Sequence, residues 1–386
     1  MALHKSLLTL LFAACLSIPV QAQPLDLGRV DQSRILLAAD AALAEAPVTI
    51  TAFPSPRSSG GLHDFYSEGD YWWPNPANPG GPYIQRDGLT NPDNFVAHRR
   101  ALVRLSVQVP ALMAAWKTTG QQRYAQHAVA HLRAWFVDPR TRLNPNLQYA
   151  QAIFGKTTGR GIGIIDTVHL VEVARAIEVL QDSGALSGTD RQQVVAWFRD
   201  YLHWLTTSKN GIEEREAKNN HGSCWLLQVA AFAHLTGDQQ LLAYARERFK
   251  TVLLPTQLAA DGSQPLELKR TKPYGYALFN LEALAALCRI LSTPQDNLWT
   301  YATPDGRGMA RAMGWMVPYM RDKASWPLPP DVMYFNEWPM RQSSLLFAGR
   351  ALGRPDYLTL WATLPADSSV EEVIRNFFIR QPVLWQ

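Results

Sequence analysis

Apolar residues recur at spacings of three and four through most of the chain after Asn94. This spacing places apolar side chains on one face of a helix, so it predicts a series of amphipathic helices. The strict alternation that predicts strands is scarce in the same interval. The windows with helical periodicity are 95–117, 122–136, 163–181, 189–206, 220–235, 239–252, 275–291, 308–320 and 341–351. The sequence therefore predicts an all-α protein with about nine or ten helices in this region.

A short helix–turn–helix pattern recurs at nearly equal intervals. Gly120, in TTGQQRYAQ, separates two helical windows, and Gly237, in LTGDQQLLAYA, does the same 117 residues later. Gly353, in ALGRPDYLTLW, follows after a further 116 residues. Glycine suits the left-handed position that ends a helix. Near-equal spacing of such hairpins favours a toroid of antiparallel helix pairs over separate domains.

Residues 23–93 differ in composition from the rest of the chain. They are rich in Pro, Gly, Asn and aromatic residues, as in YWWPNPANPGGPYIQRDGLTNPDNF. Clusters of Pro and Gly interrupt long helices. We expect a loop-rich arm with one early helix around residues 30–45. The arm is expected to pack on the helical region, so that residues 23–386 form a single domain.

The first 22 residues have the pattern of a secretory signal peptide. Lys5 provides a basic start, and Leu7–Ile18 is apolar but too short to span a bilayer. Small residues then precede Gln23, where cleavage is expected. A lipoprotein signal ending at Cys15 is the alternative. Either signal predicts export, which we expect to be to a periplasm.

The composition excludes several classes of protein. The chain has 386 residues with 37 basic and 33 acidic side chains, and the net charge of +4 is too small to indicate a nucleic-acid-binding protein. No later apolar run is long enough for a membrane helix, so the mature chain is expected not to insert into a membrane. Three cysteines exclude a disulfide scaffold. After cleavage Cys224 and Cys288 remain, either as a disulfide or as two buried thiols.

The densest polar cluster within a helical region is KNNHGSCW, residues 218–225. It precedes the apolar run of a helix, so Asn219 or Asn220 is a candidate helix cap and His221 a residue of the first turn. Two asparagines beside a histidine exceed what a cap requires. A helix N-terminus also directs free N–H groups at an anion, and a histidine there is suited to proton transfer near neutral pH.

The second cluster is ELKRTKPYGY, residues 267–276, which also precedes an apolar helix. In the structural interpretation, Tyr276 is a core aromatic residue and Arg270 pairs with Glu267. In the functional interpretation, the Arg270 guanidinium lies near the Tyr276 hydroxyl. A neighbouring guanidinium lowers the pKa of a tyrosine from about 10 by stabilising the phenolate, which suits the tyrosine to proton transfer.

The chain resembles the alginate lyase superfamily of polysaccharide lyases. The resemblance lies in NNHGSCW at 219–225, in ELKRTKPYGYALFNLEAL at 267–284 and in YWWPNPANPGGPYIQRDGLTNP at 71–92. It implies an incomplete α/α toroid, which we estimate at six to seven helical hairpins, with the substrate in a long cleft. It also implies that Asn220, His221, Arg270 and Tyr276 are the catalytic residues. The exact uronate stays open, because relatives act on polymannuronate or on glucuronan.

The chemistry of a polyuronate lyase explains these residue types. The C5 carboxylate must be neutralised before the C5 proton is removed and the C4-linked oxygen leaves. Asn220, with Arg270 or a protonated His221, is a candidate for that neutralisation. Tyr276 is the candidate for taking the C5 proton or protonating the leaving oxygen, and His221 is an alternative base. The scheme needs no metal or other cofactor, and the expected partner is an anionic polysaccharide bound by a monomer.

Six further residues are candidates for substrate binding. Aromatic rings stack on sugar faces, so Tyr71, Trp72 and Trp73 are candidate subsites, although each is equally suited to sealing the arm onto the toroid. Arg86 is suited either to bind a substrate carboxylate or to pair with Asp87. The remaining candidates are Tyr274 and His169, of which the latter follows the Gly161–Asp166 segment and is also suited to helix packing.

Two other functions fit the same fold class. A glycoside hydrolase would need two carboxylates flanking the bond, and Asp166, Glu213, Glu267 and Glu337 are available. None has surroundings as distinctive as those of His221 and Tyr276. A non-catalytic protein that binds or helps export a polysaccharide is the second rival, but it would not need the whole Asn-His-Arg-Tyr set.

Overall fold

The computed structural model describes residues 25–386, so the signal peptide predicted for residues 1–22 lies outside the described residues. The helices are α1 (Leu27–Val30), α2 (Gln32–Leu43), α3 (Ala97–Thr119), α4 (Gln122–Leu132), α5 (Leu170–Gln181), α6 (Gly188–Thr207), α7 (Lys209–Arg215), α8 (Asn220–Thr236), α9 (Gln239–Arg248), α10 (Leu254–Gln257), α11 (Pro265–Leu268), α12 (Pro273–Leu291), α13 (Met309–Arg321), α14 (Ser343–Ala351), α15 (Pro355–Thr363) and α16 (Glu371–Asn376). The strands are β1 (Tyr66–Glu68), β2 (Trp72–Trp73), β3 (Ile84–Gln85) and β4 (Tyr149–Ala152). Among these described helices, none is long and apolar enough to cross a membrane.

The long helices form the α/α toroid that the sequence predicted. Five inner helices pack against each other in the order α3, α5, α8, α12 and α14. The outer helices α2, α4, α6, α9, α13 and α15 pack on this inner set. Helices α8 and α12 are apolar on nearly all sides and almost completely buried, as expected for helices surrounded by other helices.

All three predicted helix stops use a left-handed glycine, and the third, Gly353, follows α14 with a φ of 63°. Gly120 ends α3 with a φ of 71°, and Gly237 ends α8 with a φ of 76°. Residues with a Cβ rarely adopt this conformation, so glycine allows the chain to turn sharply into the next helix. In all three cases an outer helix follows within a few residues, which gives the compact hairpins of the toroid.

The N-terminal arm carries the expected early helix, α2, and three of the short strands. Strand β1 pairs in parallel with β4, and β2 pairs antiparallel with β3. Charged side chains also attach the arm to the toroid. Buried Asp70 accepts hydrogen bonds from Arg99 of α3 and from Arg375 of α16, both at 2.6 Å. Arg99 also pairs with Asp166 at 3.1 Å. The arm is therefore held by a buried ion network as well as by apolar contacts.

Carboxylates from other elements cap the N-termini of three inner helices. Glu267 accepts from the backbone N–H of Asn220 at the start of α8, at 2.6 Å. Asp331 accepts from the first turn of α12, and Glu282 from the first turn of α14. A helix N-terminus carries free N–H groups and a partial positive charge, which a carboxylate satisfies. These contacts fix how neighbouring helices of the ring are placed relative to each other.

Cys224 and Cys288 are free and fully buried. They lie on the inner helices α8 and α12 among apolar side chains. Burial raises the pKa of both thiols well above the usual value, because the charged thiolate is poorly solvated there. Of the two alternatives that the sequence left open, the structure has the pair of buried thiols.

Candidate active site

A cavity of about 440 Å³ opens where the arm meets the N-terminal ends of α8 and α12. All four predicted catalytic residues line it, together with two of the predicted subsite residues of the arm. The residues of this set are Asn220, His221, Arg270, Tyr276, Tyr71 and Trp72. Groups that lie up to 205 residues apart in the sequence are thus brought together at one cleft.

The Tyr276 hydroxyl has two hydrogen-bond partners in this cleft. It lies 2.6 Å from the Tyr71 hydroxyl and accepts a hydrogen bond of 3.1 Å from Arg270 Nη2. The Arg270 guanidinium also lies over the Tyr276 ring, 4.2 Å from its centroid. Lys272 Nζ lies 5.8 Å from the same centroid. A phenolate at this position would therefore face two cations and a hydroxyl donor.

The pKa of Tyr276 differs from the sequence-based expectation. Burial raises the pKa of the Tyr276 hydroxyl well above its usual value, and the adjacent Tyr71 raises it further. Lys272 and Arg270 lower the pKa but do not outweigh burial. The expectation that a guanidinium alone lowers this pKa is therefore corrected, because the cost of desolvating a phenolate is the larger effect. We therefore expect Tyr276 to be a neutral phenol near neutral pH.

Arg270 pairs with Asp87 of the arm rather than with Glu267. Its Nη2 and Nε donate to the two Asp87 oxygens at 2.7 and 3.3 Å. This fork-shaped contact fixes the plane of the guanidinium and hence the direction of its remaining N–H groups. Both sequence-based pairings, Arg270 with Glu267 and Arg86 with Asp87, are wrong for one reason: the turn before α12 faces the arm.

His221 is oriented by a carboxylate that the sequence analysis did not single out. Its Nδ1 lies 2.7 Å from Oε1 of Glu214, a fully buried residue of α7. Burial raises the pKa of Glu214, and His221 opposes that shift. The second Glu214 oxygen, Oε2, is buried without a hydrogen-bond partner in the described part of the chain. With Nδ1 occupied, Nε2 is the ring atom of His221 that is available to the cavity.

The first N–H of the helix beside His221 is not available to a substrate anion. Glu267 accepts from the Asn220 backbone N–H at 2.6 Å and from its side-chain Nδ2 at 2.8 Å. The expectation of free N–H groups for a substrate anion is therefore corrected for the Asn220 N–H, since the protein supplies its own carboxylate there. The same two bonds hold the Asn220 amide rigidly, and its second Nδ2 hydrogen remains free to donate.

The predicted subsite residues of the β2–β3 ribbon lie on two opposite faces of it. Trp72 lies on the cavity wall. Trp73 is the next residue of the same strand, so its side chain projects from the opposite face. Its indole N–H donates to the Leu89 carbonyl at 2.9 Å, and the exposed Arg86 stacks on its ring at 5.2 Å. Neither Trp73 nor Arg86 is placed for substrate contact in the cavity, which corrects those two expectations.

Two other candidates are buried structural residues. Tyr274 is fully buried, donates to the Tyr319 carbonyl at 3.1 Å and packs edge-on against Trp326. His169 is 2% exposed, and burial beside several arginines lowers its pKa well below the usual value. The expectation that either residue binds substrate is corrected by this burial, since neither presents an atom at the cavity surface.

Several residues of the cavity wall carried no recognisable signal in the sequence. They come from β4 and the loop after it, from the loop before α14 and from the C-terminal helix α16. These residues include Gln151, Arg160, Asp331, Tyr334, Trp338, Glu372, Arg375 and Asn376. Lys272 also lines the cavity and pairs with Glu372 at 3.0 Å. Lys272 belongs to the same sequence motif as Arg270, so the motif could have identified it as a site residue. The α16 residues belong to no motif found in the sequence.

Backbone strain is concentrated at the same cavity. Within residues 25–386, Gln151 and Tyr334 are the two residues other than glycine with a positive φ, at 50° and 65°. Both line the cavity. Such conformations cost of order 1 kcal/mol or more and persist where the surrounding structure enforces them, commonly at functional sites. The strain is therefore independent support for a functional role of this cleft.

None of the four carboxylates that the sequence offered to a hydrolase lines the cavity. Asp166 pairs with Arg99, and Glu267 caps α8. Glu213 is exposed on α7, and Glu337 lies in a short turn before α14. Among the residues that the structure describes, no group of three or more His, Cys, Asp or Glu side chains is arranged to hold a metal ion. Four other carboxylates do line the cavity, but each is held by the protein: Asp70 by Arg375, Asp87 by Arg270, Asp331 by the first turn of α12 and Glu372 by Lys272. The cleft also holds tyrosines, a histidine, an amide and several cations.

Comparison with known proteins shows the family of this chain. The sequence matches the profile of a family described as alginate lyase over residues 49–326. The structure is similar to an alginate lyase from Bacteroides ovatus, with 32% identity, a TM-score of 0.80, and 92% of this chain and 94% of that chain covered. Alginate lyase A1-III from Sphingomonas species A1 shares the fold at 14% identity, with a TM-score of 0.52 and coverage of 92% and 94%. No curated protein sequence matches.

Proposed function

The chain belongs to the alginate lyase family and is a polysaccharide lyase, and from this premise we propose that it cleaves mannuronate-rich alginate by β-elimination. The observation that carries the proposal is the position of the Tyr276 hydroxyl. It lies between Arg270 and Tyr71 in a cleft that Asn220 and His221 also line. This set can neutralise a carboxylate and transfer a proton without water.

In the proposed reaction the proton on C5 of a uronate moves to a base of the enzyme. The electron pair of that C–H bond forms the C4–C5 double bond, and the bond from C4 to the glycosidic oxygen breaks. The leaving oxygen takes a proton from an acid of the enzyme. In mannuronate the C5 proton and the C4 oxygen lie on the same side of the ring, so one side chain can reach both.

Neutralisation of the substrate carboxylate is assigned to Asn220 and Arg270, with help from His221. The amide and the guanidinium are each fixed by a carboxylate of the protein, Glu267 and Asp87, and each keeps unused N–H donors. Donors that are already oriented cost little reorganisation when charge develops on the substrate. Their hydrogen bonds would strengthen as the carboxylate gains a second negative charge in the transition state.

Tyr276 is assigned the acid step. For Tyr276 to act as the base as well, its proton must first move to His221 Nε2, and the phenolate then takes the C5 proton and passes it to the leaving oxygen. Burial keeps Tyr276 protonated, which suits donation to the leaving oxygen. A phenolate formed by proton loss would accept hydrogen bonds from Arg270 and Tyr71, which stabilise it. His221 Nε2 is the second candidate base, because Glu214 holds the ring by Nδ1.

Ultraviolet absorbance tests the proposal directly. Purified mature protein is offered polymannuronate, polyguluronate, glucuronan and a neutral glucan in parallel. Absorbance from the new C4–C5 double bond is expected to rise fastest with polymannuronate and to stay flat with the neutral glucan. A rise with glucuronan alone would keep the lyase and replace the substrate. New reducing ends without any absorbance would contradict β-elimination.

We also propose that the enzyme acts outside the cytoplasm, because residues 1–22 have the pattern of an export signal. The mature chain would then begin at Gln23. N-terminal sequencing of protein recovered from a periplasmic extract tests this proposal. A chain that still begins at Met1 in the cytoplasmic fraction would contradict it.

A further inference from the structure

Arg160 lies on the cavity wall and was not among the candidates from the sequence. No carboxylate of the described residues pairs with it. Its Nε donates to the Gln151 carbonyl, and its Nη2 donates to Gln151 Oε1, each at 3.0 Å. Both acceptors are neutral. Burial lowers the pKa of the Arg160 guanidinium, and more distant carboxylates partly oppose this shift.

The other cations of the wall are neutralised by the protein itself. Arg270 pairs with Asp87 at 2.7 Å, and Lys272 pairs with Glu372 at 3.0 Å. Arg375 pairs with Asp70 at 2.6 Å and also approaches Glu372. A partly buried guanidinium without a carboxylate is costly unless a charged partner arrives. Arg160 therefore differs from these three cations of the cavity wall because it has no carboxylate partner within residues 25–386 and can pair with an anionic ligand.

The surroundings hold the Arg160 guanidinium in place. Gln151, which supplies both of its acceptors, has the strained φ of 50° described above. The guanidinium carbon lies 5.8 Å from the centroid of the Trp72 ring. A Cβ at Gly69 would lie 2.8 Å from Arg160 Nη2, so the glycine leaves room for the side chain. Two of the five guanidinium N–H groups bind Gln151, which leaves three for a ligand.

Arg160 and Arg270 form separate groups within the cavity. Arg160 contacts Gln151 and Trp72, whereas Arg270 contacts Asp87 and Tyr276. Because they share no contact partner, they are suited to two different carboxylates. A polyuronate presents one carboxylate on every sugar, and an Arg guanidinium binds a carboxylate through two parallel hydrogen bonds.

We infer that Arg160 binds the carboxylate of a uronate unit next to the one that loses its C5 proton. Arg160 is then a specificity-determining residue that distinguishes a polyuronate from a neutral polysaccharide. Trp72 supplies the ring against which the same sugar unit packs. The inference rests on the proposed function, because it assigns a second carboxylate site within the same cleft. It also replaces Arg86, the arginine that the sequence had suggested for this role.

The test compares Arg160→Gln with Arg86→Gln, a matched loss of an arginine from the exposed side of the ribbon. With polymannuronate, Arg160→Gln is expected to raise KM at least tenfold while kcat changes less than threefold. Arg86→Gln is expected to leave both constants within twofold. Arg160→Lys keeps the charge but loses the fork, so an intermediate KM is expected. An Arg160→Gln KM within twofold of the wild-type value would overturn the inference.

A binding measurement separates this inference from the proposed reaction. Calorimetry in a Tyr276→Phe background gives the Kd of a mannuronate tetramer with and without Arg160→Gln. The substitution is expected to weaken the tetramer at least tenfold and to leave a neutral 1,4-linked mannose tetramer unchanged. Equal weakening of both tetramers would overturn the inference in favour of a purely structural role. If the wild type binds the acidic tetramer but never cleaves it, the proposed reaction fails. The Kd values with and without Arg160→Gln still test the Arg160 site in that case. Thermal melting confirms that each variant is folded.

Discussion

At the residue scale, the chemistry of the cleft depends on pairs of side chains that hold each other. Tyr276 is expected to be a neutral phenol because burial outweighs the neighbouring cations. His221 is directed by Glu214, and Asn220 by Glu267. In each pair one residue faces the cavity and the partner is buried behind it. Orientation is thus built in before substrate arrives, which is the condition for efficient electrostatic stabilisation of a transition state.

We predict that Tyr276→Phe abolishes turnover, with a fall in kcat of about 10³-fold or more, because the variant loses the proposed proton donor. The fold should persist, since one hydroxyl is removed and a single hydrogen bond contributes about 1 kcal/mol. Steady-state absorbance kinetics and thermal melting check both points. Tyr244→Phe, on the exposed surface of α9, is the matched control and should behave as wild type. Full activity of Tyr276→Phe would remove Tyr276 from the mechanism.

We predict that Glu214→Gln lowers kcat by about 10²-fold or more if His221 is the base, because general-base contributions are of that size. The Gln amide would donate to Nδ1, which forces the proton onto Nε2 and removes its lone pair from the cavity. The pH profile of kcat should change its limiting pKa on the acidic side, which a merely structural role would not cause. Glu213→Gln, the exposed neighbour, is the control. An unchanged profile would limit Glu214 to packing.

At the scale of elements, carboxylate side chains link separate helices, loops and the N-terminal arm to one another. Glu267 connects α11 to the start of α8, and Asp331 connects the loop before α14 to the start of α12. Asp70 connects the arm to both α3 and α16. Two walls of the cleft, the arm and α16, are thus joined by the same ion network. Loss of one member should loosen the cleft as well as the fold.

We predict that Asp70→Asn destabilises the protein by about 3–5 kcal/mol, the usual cost of removing one partner from a buried ion pair. Two guanidiniums, those of Arg99 and Arg375, lose their shared carboxylate. Denaturant unfolding measures the loss. Glu371→Gln breaks the exposed pair with Arg100 and should cost less than about 1 kcal/mol. Equal effects of the two substitutions would show that the buried network contributes no special stability.

We predict that this difference between wild type and Asp70→Asn shrinks in acid. Burial alone would raise the pKa of Asp70, but Arg375 and Arg99 outweigh it and hold the pKa well below the usual 3.8. A lowered pKa in the folded state gives stability that is complete above pH 3.8 and is lost as the pH falls towards the folded-state pKa. Unfolding free energies of both proteins between pH 7 and pH 2 test the sign. A difference that stays constant over this range would contradict the assigned pKa shift.

At the scale of the whole molecule, the buried parts of the helices that stabilise the toroid are separate from the side chains proposed to react. The inner helices α8 and α12 are apolar along their length, and the reactive side chains stand at their N-terminal ends. The loops, the arm and α16 then complete the cleft around these ends. Such a division explains how a chain with 32% identity to the Bacteroides ovatus enzyme keeps a TM-score of 0.80 over 92% of its length.

We predict that neither Cys224 nor Cys288 reacts with a thiol reagent in the native protein, and that both react on unfolding. The thiols are fully buried in inner helices, and burial raises their pKa values, so thiolate is scarce. Labelling kinetics in increasing denaturant should therefore follow global unfolding. Fast labelling under native conditions would show that α8 and α12 open locally. An absence of labelling after unfolding without reductant would instead indicate a disulfide.

The sequence by itself determined the helical toroid, its glycine stops and the four residues proposed for catalysis. Helical periodicity and helix-ending glycines are local properties, and the motifs around His221 and Tyr276 are contiguous. Tertiary structure alone decided the remote partners of these residues, since Asp87 lies 183 residues from Arg270 and Tyr71 lies 205 residues from Tyr276. It also decided the protonation of Tyr276, because the cost of desolvation depends on everything that packs around the hydroxyl. Contacts between remote segments leave no periodic signal in the sequence, and burial is a property of the assembled fold.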